Sequence, residues 1–329
     1  MPTILNRLRS HKNNNILYYA KSILSRLLPD FLFNIQLSGK LKSVNNYDIQ
    51  YLQSRVNYYN KLTDSIQLTD SAIEIGKLPL PKRKRVYYFD TVEFTRYFNR
   101  KLKANFLFGD ITHIPDVPSI TKSRPVQGDN KNSIILKLEK MRHFMFVKYD
   151  LPFDSKIDKL MWRGVVRVEH RIRFLEMYFN NPLCDLGKIN DDTGHSEWLT
   201  KKLSIDEHLK YKFILCIEGY DVATNLKWVM SSYSVAVMPK PKYETWFMEG
   251  KLIPDFHYIQ IKDDYSDLEE RLTYYIKNPD KAFQITRNAN EYVSQFRDKK
   301  QEDLLSLLVL EKFFTLTNQM KPITKLLKS

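Results

Sequence analysis

The spacing of apolar and polar positions changes character near the middle of the chain. From residue 161 a regular series sets in. MWRGVV (161–166) reads as a buried strand, HRIRFLEMYFN (170–180) as an amphipathic helix and LCDLGKI (183–189) as a second strand. EHLKYKFILCIEG (207–219) runs from helix into buried strand. VATNLKWVMSS (222–232) and SVAVMP (234–239) then read as helix and strand, and ETWFMEGKL (244–252) and HYIQIK (257–262) as the next such pair. DLEERLTYYIKN (267–278) is again helical. Crossovers of this length predict a parallel, doubly wound α/β sheet. Helical spacing persists from Pro279 to about Phe296 and through 303–320 with no further strand.

The first half is less even. Ile16, Leu17, Ala20, Ile23, Leu24 and Leu27 recur near helical spacing, and DIQYLQSRVNYYNKL (48–62) is helical. PLPKRKRVYYFD (79–90) reads as a proline-bounded basic turn feeding a strand at 86–90, followed by a helix (91–102) and an apolar strand, ANFLFGDI (104–111), which together would form a βαβ unit. Residues 111–132 mix prolines with polar residues and predict a long loop, and DLPFDSKIDKL (150–160) reads as a hinge. A chain of 329 residues suits two domains. The expected division is a basic helical arm (1–45), a first domain (46–155), a second domain (156–300) and a closing helix (301–329).

Composition narrows the classes. Hydrophobic residues make up 43% and charged residues 27%, which excludes wholesale disorder and a fibrous chain. The net charge of +14 would attract nucleic acid, anionic lipid or phosphorylated substrate alike. Residues 1–44 carry seven cations (Arg7, Arg9, Lys12, Lys21, Arg26, Lys40, Lys42) against Asp30 alone, beside the apolar stripe named above. Such a segment packs on its own domain, docks on an anionic membrane surface or binds nucleic acid. The two cysteines, Cys184 and Cys216, lie in apolar runs and imply no disulfide framework. No apolar run approaches the length of a membrane span, and the charged start MPTILNRLRSHKNNN is unlike a secretory signal, so the expected location is cytoplasmic.

Open α/β sheets bind ligands beyond the carboxyl ends of their strands, and the chemistry-bearing residues were sought there. Asp110 ends an apolar run with Gly109 before it and His113 after it, as either a cap or a general base would. Arg163, Arg167, Arg171 and Arg173 surround a strand-to-helix turn, where guanidinium forks and backbone N–H groups suit a diphosphate, or else form a solvated basic face. Glu218 and Gly219 end a strand before a helix bearing Lys227, a pattern open enough for phosphate but neither a dinucleotide fingerprint nor a P-loop. Asp191-Asp192 and Asp263-Asp264 read as loop and cap, and no metal-ligand spacing or nucleophile elbow is present.

With these residues laid out, the chain resembles glycosyltransferase family 90, which includes protein O-glucosyltransferases, fungal capsule xylosyltransferases and bacterial lipopolysaccharide glycosyltransferases. The stretches that carry the likeness are RVNYYNKL (55–62), FLFGDITHIPDVPSITKSRP (106–125), residues 161–190, 207–219 and, above all, 222–270, and they look like the bacterial branch. The resemblance implies a GT-B architecture: two Rossmann-like domains facing a cleft, the first binding acceptor and the second a UDP-sugar donor, with inversion and without an obligatory metal or other cofactor. It implies that Asp110 is the general base and that Arg163, Arg171 and Lys227 lie on the donor side. Glu207 matches an acidic residue on the helix leading to that site. Two departures bear on the diphosphate. Asn225 stands where many members have Arg, and Val166 replaces the second Arg of an Arg-Gly-Ser-Arg turn. Arg167, Lys227 or Arg124 would compensate. Ile111-Thr112 replaces a Tyr-Pro that usually follows the base. The implied partners are a lipopolysaccharide core acceptor and the anionic inner face of the inner membrane, with no specific nucleic acid. The competing reading is a non-enzymatic polyanion binder resting on charge alone.

Overall fold

A computed structural model describes residue 11 and residues 14–327. Arg7, Arg9 and Lys12 of the basic arm lie outside the described residues. The fold is mixed α/β with parallel sheets and eleven α-helices among the described residues. It divides into two compact units: a first of residues 14–141, 242–249 and 296–327, and a second of residues 11, 142–241 and 250–295.

In the first unit, helices α1 (Asn15–Leu27), α2 (Phe31–Lys42) and α3 (Ile49–Tyr59) lead to β1 (Ile73–Glu74). Asp48 starts α3 by accepting from the N–H groups of Gln50 and Tyr51. The run RVYYFDTVEFT, expected as strand and then helix, is one helix, α4 (Arg85–Thr95), with Tyr87, Tyr88, Phe89, Asp90, Thr91, Phe94 and Thr95 buried. Its aromatic and β-branched residues favour a strand locally, but burial on nearly every side favours a helix sunk in the core. The βαβ unit expected at 86–111 is therefore absent. Instead β2 (Lys103–Leu107) pairs antiparallel with β1 and parallel with β3 (Ser119–Thr121), which pairs parallel with β5 (Ser133–Ile135).

The expected loop 111–132 thus holds β3 and also β4 (Ser123–Pro125). β4 pairs antiparallel with β10 (Tyr243–Thr245), where a helix was expected, and the short helix α5 (Lys140–His143) ends the first stretch. The last helix, α11 (Lys299–Leu316), is apolar on most sides and lies against α2, α3 and α4. Its Glu302 joins all three chain segments of the unit. Arg55 Nη2 donates to Oε1 (2.8 Å), and Lys137 Nζ (2.9 Å) and Trp246 Nε1 (2.6 Å) donate to Oε2.

The second unit follows the sequence pattern closely. β6 (Ile157–Gly164), β7 (Cys184–Lys188), β8 (Tyr211–Leu215), β9 (Val235–Met238) and β11 (Ile259–Gln260) form one parallel sheet in the order β11-β9-β8-β6-β7. Helix α6 (Glu169–Tyr178) links β6 to β7, α7 (Ile205–His208) precedes β8 and α8 (Leu226–Met230) links β8 to β9. α9 (Leu268–Lys277) and α10 (Pro279–Ser294) complete the unit. The core gathers Leu160, Trp162, Phe174, Phe213, Val237 and Leu272. Counted from β6 the strand order is 2-1-3-4-5, so the direction of winding reverses between β6 and β8, the place where such sheets bind ligands. Cys184 and Cys216 are buried and unpaired, and burial pushes both thiols up, away from reactivity.

Candidate active site

The turn after β2 is shaped to present a carboxylate. Gly109 has φ +126°, a backbone conformation that L side chains rarely adopt, so conformation calls for glycine there. The turn is tied to β4 through Ser123, whose Oγ accepts from Ile111 N–H (3.2 Å) and donates to the Ile111 carbonyl (3.2 Å). Next to Gly109, Asp110 accepts a 2.6 Å hydrogen bond on Oδ1 from Lys122 Nζ. Lys122 also lies 3.6 Å from Glu139 Oε2, the atom to which the Tyr87 hydroxyl donates (2.9 Å).

The Lys122 side chain is 2% exposed and that of Asp110 is 36% exposed. A buried ammonium therefore holds one carboxylate oxygen from within, while Asp110 Oδ2 accepts no hydrogen bond among the described residues. His113 is exposed and, with Phe106, Phe108, Ile114 and Val117, lines an open cavity of about 640 Å³ in the same unit. Aromatic and apolar walls with a few polar groups suit the faces of sugar rings.

Arg124 does not join this site. It is 0% exposed, and its guanidinium donates to Glu244 Oε1 (2.8 Å), the Tyr58 carbonyl (2.7 Å) and the Ser133 carbonyl (3.2 Å). In this structure Arg124, expected as a possible acceptor or phosphate contact, is an internal clasp between β4 and β10, its charge set against a buried carboxylate.

In the second unit the loops after β6 and β8 meet at the reversal point. Arg171, on the first turn of α6, donates from Nε to the Glu218 carbonyl (2.8 Å), from Nη2 to the Ile217 carbonyl (3.0 Å) and from Nη1 to the Val165 carbonyl (2.8 Å). His170 Nε2 also meets the Glu218 carbonyl at 2.8 Å. Burial pushes the Arg171 guanidinium down to about 10, still cationic at neutral pH. A Cβ on Gly219 would lie 3.3 Å from Arg171 Nη2, so the absence of a side chain keeps this edge open.

The loop 165–168 is itself fixed by Asn190, whose Oδ1 accepts from Val166 N–H (2.8 Å). Arg167 is half-exposed and paired with Asp192. α6 begins without a side-chain cap, so its positive end opens onto the same point.

Arg167, Arg171 and Gly219 are thus brought together, with Asn225 close by in sequence and bonded through Nδ2 to the Leu215 carbonyl at the end of β8 (2.9 Å). Three expected donor residues are placed elsewhere. Arg163 turns back from β6 to β7, donating to Asp185 Oδ1 (2.5 Å) and to the carbonyls of Asp185 (2.8 Å) and Trp162 (2.9 Å). Lys227 is 0% exposed, within the interior of α8's packing. Glu207 lies before the amino end of β8, where it closes a capping box with Ser204. In this structure Arg163 pairs with Asp185, Lys227 is buried near Cys216 and Glu207 serves as a cap.

No group of three or more His, Cys, Asp or Glu side chains able to hold a metal occurs among the described residues. Sequence reading missed Lys122, Glu139 and Tyr87. Only the alternation within Ser119–Pro125 could have shown which residues share a face with Asp110.

The family model described as Glycosyl transferase family 90 matches residues 134–314. O-glucosyltransferase LpsA of Dichelobacter nodosus is 38% identical over 306 residues, covering 92% of this chain and 96% of that protein. Protein O-glucosyltransferase 2 of Danio rerio is 24% identical over 147 residues, covering 43% of this chain and 29% of that protein.

Proposed function

The chain belongs to glycosyltransferase family 90, and from that membership we propose that it moves a sugar from a UDP-sugar onto a lipopolysaccharide core acceptor with inversion at the anomeric carbon. The reading divides the work as in a GT-B enzyme, with the first unit taking the acceptor and the second the donor. The observation that carries it is Asp110, with one oxygen held by buried Lys122 and the other unbonded. The acceptor hydroxyl gives its proton to Asp110 Oδ2, its oxygen bonds to the anomeric carbon, and the bond to the diphosphate breaks with its electron pair leaving on UDP.

Arg167, the remaining N–H groups of Arg171 and the amino end of α6 are the donor-side groups that would meet the departing charge. His113 and the cavity beside it would hold the acceptor ring. No metal takes part in this scheme. Among the donors glucose, galactose and xylose, the names of both relatives put glucose first. No described helix is long and apolar enough to cross a membrane, and we place the reaction on the cytoplasmic face of the inner membrane, where a lipid-linked core would be presented.

The test is a panel of UDP-glucose, UDP-galactose and UDP-xylose with rough-type lipopolysaccharide core, followed through UDP release. Turnover of one donor well above the others supports the proposal; no turnover and no binding of any nucleotide sugar overturns it. Lys122→Met removes the ammonium behind the base, and kcat is expected to fall about tenfold or more with KM for donor little changed. An unchanged kcat would remove Lys122 from the mechanism.

A further inference from the structure

Helix α1 and the first turns of α2 leave most of their apolar side chains outside. The contacts that fasten them to the first unit are largely polar. Tyr18 donates to Asp90 Oδ1 (2.7 Å), Arg96 donates to Asp30 Oδ1 (2.8 Å) and to the carbonyls of Ser25 (2.7 Å) and Leu28 (2.8 Å), and Asn34 Nδ2 donates to the Arg96 (3.0 Å) and Phe98 (3.1 Å) carbonyls. Leu37 and Leu41 in the second half of α2 are buried, Phe33 packs on Tyr97 and Tyr19 on Phe89, but most apolar side chains of α1 and of the start of α2 point the other way. Ile16 is 82% exposed, Leu17 66%, Leu24 63%, Leu27 75%, Phe31 60% and Ile35 70%, and α1 has no buried residue.

α1 is thus held to its own unit by one side while its apolar residues stay outside, and exposed apolar side chains gathered on one short segment mark a candidate interaction site. Its charge says with what. Lys21, Arg26, Lys40 and Lys42 lie along the two helices, and the one carboxylate, Asp30, is already neutralised by Arg96 and Arg100. Lys21 lies near enough to Glu93 to lower that carboxyl, and Arg26 and Lys40 lie over the Tyr88 and Tyr97 rings, yet the segment keeps four cations to one carboxylate, a surplus that with apolar side chains complements an anionic bilayer of acyl chains and lipid phosphates.

We propose that α1 and α2 form a membrane-docking face that lays Leu17, Leu24, Leu27 and Phe31 into the outer part of an anionic leaflet while the cations meet lipid phosphates. The proposal deepens the reading above by naming the surface that brings a lipid-linked acceptor and enzyme together, and it rests on that reading only for its purpose. The helices stand on α4, in the same unit as the Asp110 turn.

The experiment compares the full chain with Leu24→Glu/Leu27→Glu, both exposed positions whose replacement leaves the polar joints intact. Each is mixed with vesicles of phosphatidylcholine alone and of phosphatidylcholine with phosphatidylglycerol, then sedimented. The wild type is expected to bind the anionic vesicles at least about tenfold better than the neutral ones, and the variant to lose about nine-tenths of that binding. Transfer to a delipidated, water-soluble core should be equal in both proteins, while transfer to core embedded in vesicles falls in the variant. Equal vesicle binding by both proteins overturns the proposal. So does a wild-type dimer that the substitutions disperse without vesicle binding, since the face would then join two copies of the chain. If neither protein transfers sugar to soluble core yet docking behaves as expected, the transferase reading fails and the docking face stands.

Discussion

Asp110→Asn is expected to lower kcat for sugar transfer by at least about a hundredfold, the usual range for removing a positioned general base being 10²–10⁴. The substitution keeps shape and keeps an oxygen able to accept from Lys122 Nζ, so the turn held by Ser123 and Gly109 should remain as it is. What it removes is the capacity to take the acceptor proton. Donor binding is assigned to the other unit and should persist, so the KM for UDP-sugar stays within a few-fold while kcat collapses. Single-turnover assays with saturating donor and core acceptor measure this directly. A variant that retains more than about a tenth of wild-type kcat would move the base elsewhere, with His113 and Asp116, exposed titratable groups lining the neighbouring cavity, next in line.

Glu302→Ala should be the most damaging substitution for the first unit, costing about 3–5 kcal/mol. Glu302 and Arg55 are each 1% exposed, and the same carboxylate serves Lys137 and Trp246. Removing it takes from Arg55 and Lys137 the carboxylate they share and leaves the Trp246 indole N–H without this acceptor. Lys137 can escape by losing its proton, toward which burial already pushes it, but a guanidinium cannot. Arg55 keeps hydrogen bonds to the Tyr59 and Tyr51 hydroxyls, which softens the loss without replacing the charge. Glu302→Gln keeps acceptor oxygen near Trp246 and should cost less than the alanine variant. Urea titration followed by tryptophan fluorescence reports the change, since Trp246 is stacked on Tyr59 at 3.8 Å within the affected core. A midpoint unchanged in Glu302→Ala would mean that apolar packing of α11 alone secures the unit.

The second unit was largely legible in the chain because buried parallel strands and amphipathic crossover helices differ in period over many residues. Connection lengths pointed to a parallel, doubly wound sheet, while its strand order and reversal point are visible only in the structure. The first unit was not, for identifiable reasons. The residues Val86–Asp90 carry strand-forming side chains but are buried on most sides in α4, which local pattern cannot distinguish from a strand. β3, β4 and β5 are three residues each, too short to show a period, and β4 is completed by β10, more than a hundred positions away.

The site divides the same way. Asp110 and the Arg167–Arg171 turn could be found because they adjoin strand ends. Lys122 could not, because its meeting with Asp110 depends on how β3 and β4 lie beside the β2 turn. The internal partners of Arg163 and Arg124 and the buried position of Lys227 were not legible for the converse reason: a cation in a stretch of sequence does not show which carboxylate or interior position holds it.

The return of the chain to its first unit sets a schedule for synthesis. β10 and α11 supply the strand partner of β4 and the carboxylate for Arg55, yet they are made long after residue 141. At roughly 5–20 residues per second, ribosomes would take on the order of 10–35 s to pass from there to the end of α11. Through that interval α3, α4 and the unpaired edge of β4 wait as an unfinished nascent segment, while most of the second unit has already emerged. A ribosome-bound chaperone that shields apolar segments would matter most for the part of this protein that is translated first.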